Sequence, residues 1–219
     1  MQLMKTLKNV CLLALMTLIL SSCGGDGFTY VKVSTDLGDM RFKLYNSTPK
    51  HRDNFIKLTK DGYYDGLLFH RIISGFMAQG GDPNSRGAAE GVPLGTGGPG
   101  YKVDAEIGAP HFKGTLAAAR QGGPGNPLKQ SSGSQFYIVQ GTVQSDQQID
   151  SSQARKGITY TPDQRERYKT MGGTMMLDMD YTVFGEIVEG MEVIDKLCAV
   201  QTAPGDRPLK DIKMTVTID

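Results

Sequence analysis

The segment FHRIISGFMAQGGD, Phe69 to Asp82, places a single arginine, Arg71, in an apolar run and follows it with glycines. A guanidinium stays charged at any working pH, so Arg71 offers no acid–base chemistry. What it offers is a planar, forked donor that can hold an N–H toward one acceptor. Taken alone, Arg71 reads sooner as a strand arginine paired with a carboxylate than as a site residue, and Phe76, Met77 and Leu177 as barrel core. Other chemistries have little to stand on. His51, His70 and His111 are far apart, without H-x-x-x-H or C-x-x-C spacing, so no metal site is expected. There is no G-x-S-x-G elbow and no evident Ser, His and Asp order, which leaves hydrolysis without a nucleophile. The stretch GTGGPG, Gly95 to Gly100, lacks the GK[ST] ending of a phosphate loop and reads as an ordinary loop.

The elements around Arg71 follow from periodicity. FTYVKVST and DMRFKLY alternate apolar and polar residues about DLGD, the pattern of a β-hairpin. STPKHRDNFIKLTKDG has Ser47 or Thr48 as a cap, Pro49 in the first turn, apolar Phe55, Ile56 and Leu58, and Gly62 as a stop, which predicts one amphipathic helix. Short apolar runs separated by glycine follow (LLFHRII, FMAQ, TLAAA, QFYIV, TVFGEIV, IKMTVTI), with one further helix expected at GMEVIDKLCAV. Short strands at such spacing argue for an antiparallel barrel or sandwich rather than alternating strands and helices.

Length and charge set outer bounds. A chain of 219 residues suits one domain with room for an insertion. Lys and Arg number 24 against 23 Asp and Glu, so no concentrated basic face points to nucleic acid. At the N-terminus, Lys5 and Lys8 precede the apolar run Val10 to Leu20, which has the length of a secretory leader and is short for a membrane span. It ends in LSSC, which resembles the bacterial lipoprotein signal. On that reading residues 1–22 are the leader, Cys23 is lipidated, and residues 23–27 form a tether. The alternative is an ordinary leader cut near Ser21 or Ser22. Cys11 then leaves with the leader and Cys198 has no partner, so no disulfide is expected, and Cys198 reads as a small buried hydrophobe.

Four blocks together carry a family resemblance: FHRIISGFMAQGGD, GTLAAAR (Gly114 to Arg120), GSQFYI (Gly133 to Ile138) and YTVFGEIVEGMEVID (Tyr181 to Asp195). In this order, across residues 28–219, they make the chain similar to the cyclophilin family of peptidyl-prolyl cis/trans isomerases. The resemblance implies a closed eight-stranded antiparallel β-barrel capped by two helices. It also implies proline-containing, unfolded or partly folded polypeptides as substrates, and no cofactor. It assigns catalysis to Arg71, Phe76 and Gln79, with Gln79 orienting the arginine. Phe76, Met77, Tyr137 and Leu177 match the positions that receive the proline ring. Ala119 and Gln135 match substrate-binding positions, and Phe69 and His70 flank the arginine. Met176 falls where the family has a tryptophan and Tyr181 where it has a histidine, so the rim of the slot is altered. Tyr137 replaces the usual Phe and carries a hydroxyl that needs a partner. Between QFYIVQG and MLDMDYTVFG lie about thirty extra residues, roughly Thr142 to Thr174. Thr161 with Pro162 and Gln164, and more weakly Ser145 with Gln148, predict two short surface helices there. The rival reading is a non-catalytic peptide-binding module using the same groove.

Combined with the leader, these features place the protein in the bacterial cell envelope, membrane-anchored through Cys23, periplasmic or outer-membrane associated. The anchor has a direct test. Cys23→Ser is expected to abolish labelling by a fatty-acid probe and to release the protein from the membrane fraction; equal labelling of the Ser variant contradicts lipidation at Cys23.

Overall fold

Alternating residues of β1 (Thr29–Thr35) and β2 (Gly38–Leu44) bury Val31, Val33, Met40, Phe42 and Leu44 on one face, and the two strands pair through the tight turn at residues 35–38. The structure is a computed structural model that describes residues 27–219, so the expected leader, the expected lipidation at Cys23 and nearly all of the expected tether lie outside the described residues. The remaining strands are β3 (Arg71–Ile73), β4 (Met77–Gly80), β5 (Lys102–Val103), β6 (Thr115–Ala118), β7 (Ser131–Ser132), β8 (Phe136–Val139), β9 (Val183–Glu189) and β10 (Thr215–Ile218). Eight of the ten strands among the described residues form one antiparallel sheet in the order β10-β1-β2-β9-β6-β8-β4-β3; β5 and β7 pair separately.

The sheet curls into a half-barrel and does not close, which corrects the closed barrel implied by the resemblance. Its edges, β3 and β10, do not pair. The physical reason is that β3 has three residues and its outer edge is already occupied: the Ile72 N–H donates to the Asp206 carbonyl at 2.8 Å, in the turn at residues 203–207. The gap is spanned instead by irregular chain ahead of each edge strand. There Leu68 bridges Lys213, and Gly66, Leu67 and Phe69 exchange backbone hydrogen bonds with Ile212 and Met214.

Helix α1 (Pro49–Lys60) buries Phe55 and Leu58 against the sheet, and Gly62 follows it at φ +65°. Thr48 is its N-cap residue but makes no side-chain cap bond. The first-turn donors are satisfied from a distance: the Glu106 carboxylate accepts from the backbone N–H groups of Lys50 and His51, both at 3.0 Å, and bonds His51 Nδ1 at 2.7 Å. Burial alone would raise the Glu106 pKa, but those donors outweigh it and hold the carboxyl below its ordinary range.

Between β8 and β9 the chain makes a helical excursion that leaves and returns at Thr142 and Gly173, whose backbones exchange two hydrogen bonds. A Cβ on Gly141 would lie 2.3 Å from the Gly173 carbonyl carbon, so the seam admits no side chain there. The excursion carries α2 (Asp146–Lys156) and α3 (Pro162–Thr170), and both start with complete capping boxes, Ser145 with Gln148 and Thr161 with Gln164. It is more than a surface loop, because Ile149, Tyr160 and Tyr168 pack with Phe112 and Met175 in a small core of their own. Helix α4 (Met191–Cys198) then covers the main core with Val193, Ile194, Leu197 and Cys198. Burial pushes the Cys198 thiol up to about 12. Since the thiolate is the reactive form, the domain from residue 28 onward is expected to resist a thiol reagent at pH 8 and to be labelled once denaturant is added. Rapid labelling of the native domain would show that α4 does not hold Cys198 in the core.

Candidate active site

Because strand side chains alternate, β8 sends Phe136 and Ile138 into the main core and Tyr137 and Val139 to the other face. Register does the rest. Arg71 pairs with Gln79 and Ile73 with Met77 across β3 and β4; Gln79 pairs with Tyr137 across β4 and β8; Ala117 pairs with Tyr137 across β6 and β8. One sheet face thus gathers Arg71, Gln79, Met77 and Tyr137, with Phe76 supplied by the β3–β4 turn, where Gly75 adopts φ +73°. Leu177 and Tyr181 come over this face from the chain ahead of β9 and pack against it.

These residues, with Ala119 and Arg120, line a cavity of about 120 Å³. A cavity of about 150 Å³ accepts benzene, so the slot is sized for one small ring. Its walls are apolar apart from Arg71, Gln79 and Arg120. Tyr181 meets Tyr137 edge to face at 5.9 Å, and the Arg120 guanidinium lies 4.6 Å from the Tyr181 ring centre while donating to the Asp180 carbonyl. Arg71 stands at the lip, 42 % exposed, with Nε 3.3 Å from an Asp206 carboxylate oxygen. Gln79 does not bond Arg71. Its amide donates to Gln135 Oε1 at 3.0 Å, and Gln135 in turn donates to the Gly97 carbonyl at 2.8 Å. The partner of the guanidinium among the described residues is thus Asp206, while the Gln79 side-chain NH2 is given to Gln135.

The sequence matches the family model for cyclophilin type peptidyl-prolyl cis-trans isomerases over residues 30–218. The chain belongs to this family. A relative from Staphylococcus aureus described as a peptidyl-prolyl cis-trans isomerase is 36% identical over 184 residues, 83% of this chain and 87% of its own. One from Staphylococcus epidermidis is 35% identical over 183 residues, again 83% and 87%. Among solved structures, a cyclophilin type isomerase of Cryptosporidium parvum superposes with a TM-score of 0.62 at 26% identity, covering 88% of this chain and 98% of that one. The protein is thus a cyclophilin-type peptidyl-prolyl cis-trans isomerase.

In this cyclophilin three of the expected site residues stand apart from the slot. Phe69 is core, set edge to face with Phe136 at 6.2 Å, because it points to the opposite side of the chain from the slot-facing residues. His70 is buried behind the arginine in a groove it shares with Gly95 and Arg207. Burial lowers its pKa, with only partial opposition from Asp82. Met176 is 62 % exposed and lines a neighbouring groove rather than the slot. Gln135 sits next to the slot through its bond to Gln79, in a groove shared with Ala119.

Beneath the slot lies a buried network that sequence reasoning missed. The Asp178 carboxylate accepts from the His111 backbone N–H at 2.8 Å and from the hydroxyls of Tyr160 and Tyr168 at 2.5 and 2.6 Å. It also bonds His111 Nδ1 at 2.8 Å. With its proton on Nδ1, His111 accepts at Nε2 from the Tyr137 hydroxyl at 3.0 Å. Burial pushes the Tyr137 phenol well above its ordinary pKa, so it remains a donor. The added hydroxyl of Tyr137 has its partner, and the insertion supplies two of the donors that fix Asp178. The one signal available in the sequence was the pairing of an unusual Tyr137 with two tyrosines in a mostly polar insertion. Removing Asp178 strands several buried donors at once, each costing about 1–3 kcal/mol. Asp178→Ala is accordingly expected to destabilise the domain by about 3 kcal/mol or more in urea denaturation, and Tyr168→Phe by about 1–2 kcal/mol. Loss of under 1 kcal/mol in Asp178→Ala would show that the network contributes little.

Proposed function

We propose that this isomerase works by aiming the Arg71 guanidinium at the prolyl nitrogen of a substrate whose proline ring fills the adjacent slot. The observation that carries this reading is the Arg71 guanidinium at the lip of a small cavity walled by Phe76, Met77, Tyr137 and Leu177, whose other cation, Arg120, is committed to the Asp180 carbonyl and the Tyr181 ring. Rotation about an X-Pro amide faces a barrier of about 18–20 kcal/mol, because resonance is lost as the C–N bond twists. In the twisted state the nitrogen recovers a basic lone pair. A fixed N–H donor aimed there binds the transition state more tightly than either planar isomer, which is the condition for catalysis. An apolar slot that excludes water adds to the effect, since the planar amide is the more dipolar state. No proton transfer, covalent intermediate or cofactor enters.

Asp206 is the partner that keeps the fork in place, while Gln79 and Gln135 offer amide groups to the substrate backbone beside the slot. In support of a proline-containing ligand, the Cryptosporidium relative has been crystallised in the presence of the dipeptide Ala-Pro. The substrates we assign are exposed X-Pro bonds in unfolded or partly folded exported proteins. This rests on the leader-like N-terminus and the LSSC sequence, which would tether the enzyme at the cell envelope.

Arg71→Ala is expected to lower kcat/KM on an X-Pro peptide by about 10² to 10³, the usual cost of removing one preorganised donor. Arg71→Lys should recover little of this, because a rotating ammonium lacks the fork. Asp206 sits at φ +67°, which Asn also tolerates, so Asp206→Asn keeps the turn while removing the charge. With both partners about two-fifths exposed, the pair is a solvent-screened one, and the loss expected is no more than about fivefold. NMR exchange spectroscopy measures all three. Wild-type catalysis no faster than that of Arg71→Ala would refute the arginine mechanism.

A further inference from the structure

A groove of about 660 Å³ adjoins the slot at Phe76, which lines both. One wall is Gly75, Phe76 and Met176. The other is a single stripe of α2 and its N-terminal approach: Gln144, Gln147, Gln148, Ser151, Ser152 and Arg155. These positions recur at three- and four-residue spacing, so they share one face of the helix. That face is built of amides and hydroxyls and ends in a cation. The acidic residues of α2 are engaged elsewhere: Asp146 pairs with Arg165 and Lys169, and Asp150 with Arg165, all toward α3. Neither the Arg155 guanidinium nor the Gln147 amide has a hydrogen-bond or ion-pair partner among the described residues.

We infer that the insertion extends the substrate site: a chain whose proline occupies the slot continues past Phe76 along α2 and presents a carboxylate side chain to Arg155. The occupant is the substrate polypeptide because the groove adjoins the slot across the shared Phe76. Its free amide can pair with the backbone of an extended chain, and its uncompensated charge is positive. From Gln147 to Arg155 the helix rises about 12 Å, which an extended strand covers in about four residues. The preferred substrates therefore carry Asp or Glu about four to five residues from the proline, with an apolar residue nearer to it, against Phe76 and Met176. The inference rests on the isomerase reading of the slot.

The test uses the whole domain and three peptide types sharing one X-Pro core: a short one that ends before the groove, and longer ones extended in either direction with Glu or with Lys at the fourth and fifth positions from proline. For the extension that enters the groove, kcat/KM should favour Glu over Lys by about two- to fivefold, the range of a solvent-accessible ion pair. The preference should shrink at high salt. Arg155→Glu should reverse it while leaving the short peptide unchanged, which also reports that the variant is folded. In a parallel titration the Arg155 Nε–H resonance should shift with the Glu peptide and not with the short one, whether or not turnover is observed. Equal rates for Glu and Lys peptides, or a preference that survives Arg155→Glu, overturns the extended site. Absence of catalysis on the short peptide overturns the isomerase mechanism instead, and the resonance shift still decides the groove.

Discussion

A β-strand sends successive side chains to opposite faces, and in this protein both faces of the central strands are apolar. On β8, Phe136 and Ile138 join the main core while Tyr137 and Val139 face outward. A sheet with two apolar faces has to be covered on both. Helices α1 and α4 cover the inner one. The outer one is covered by Leu177 and Tyr181, and what stays open between them and the β3–β4 turn is the slot. The site is thus the uncovered remainder of a second, smaller core, which explains why its walls are apolar and why it is sized for one ring.

The polar groups that such a fold buries are met by donors and acceptors from distant segments. Glu106 caps the first turn of α1 in place of a local side chain. Asp178 gathers donors from His111, Tyr160 and Tyr168, and through His111 reaches the hydroxyl of Tyr137 at the slot wall. In a low-dielectric interior a carboxylate left with fewer donors is costly, so these contacts tie the insertion to the sheet. The insertion is consequently part of the structure around the slot as well as a wall of the neighbouring groove, which lets one added segment act on both stability and substrate choice.

The hairpin of β1 and β2, helix α1, both capping boxes of the insertion and the burial of Cys198 were legible in the sequence because each depends on local periodicity or on residues three apart. The gathering of Arg71, Phe76, Met77, Gln79, Ala119, Tyr137, Leu177 and Tyr181 around one cavity was legible only through family motifs, since the residues span more than a hundred positions. The partner of Arg71 was not legible at all. Asp206 lies 135 residues away in a turn with no motif of its own. Nor was the open sheet legible, because it depends on that same turn occupying the edge of β3. Sequence by itself determined which stretches become strands and helices, and that one arginine sits beside apolar side chains. Tertiary structure alone decided that the sheet stops short of closure, that Asp206 pairs with the guanidinium, and that Phe69 and Met176 fall outside the slot. The reason is that periodicity is a property of neighbours along the chain, whereas edges, ion pairs and cavities exist only once distant segments meet.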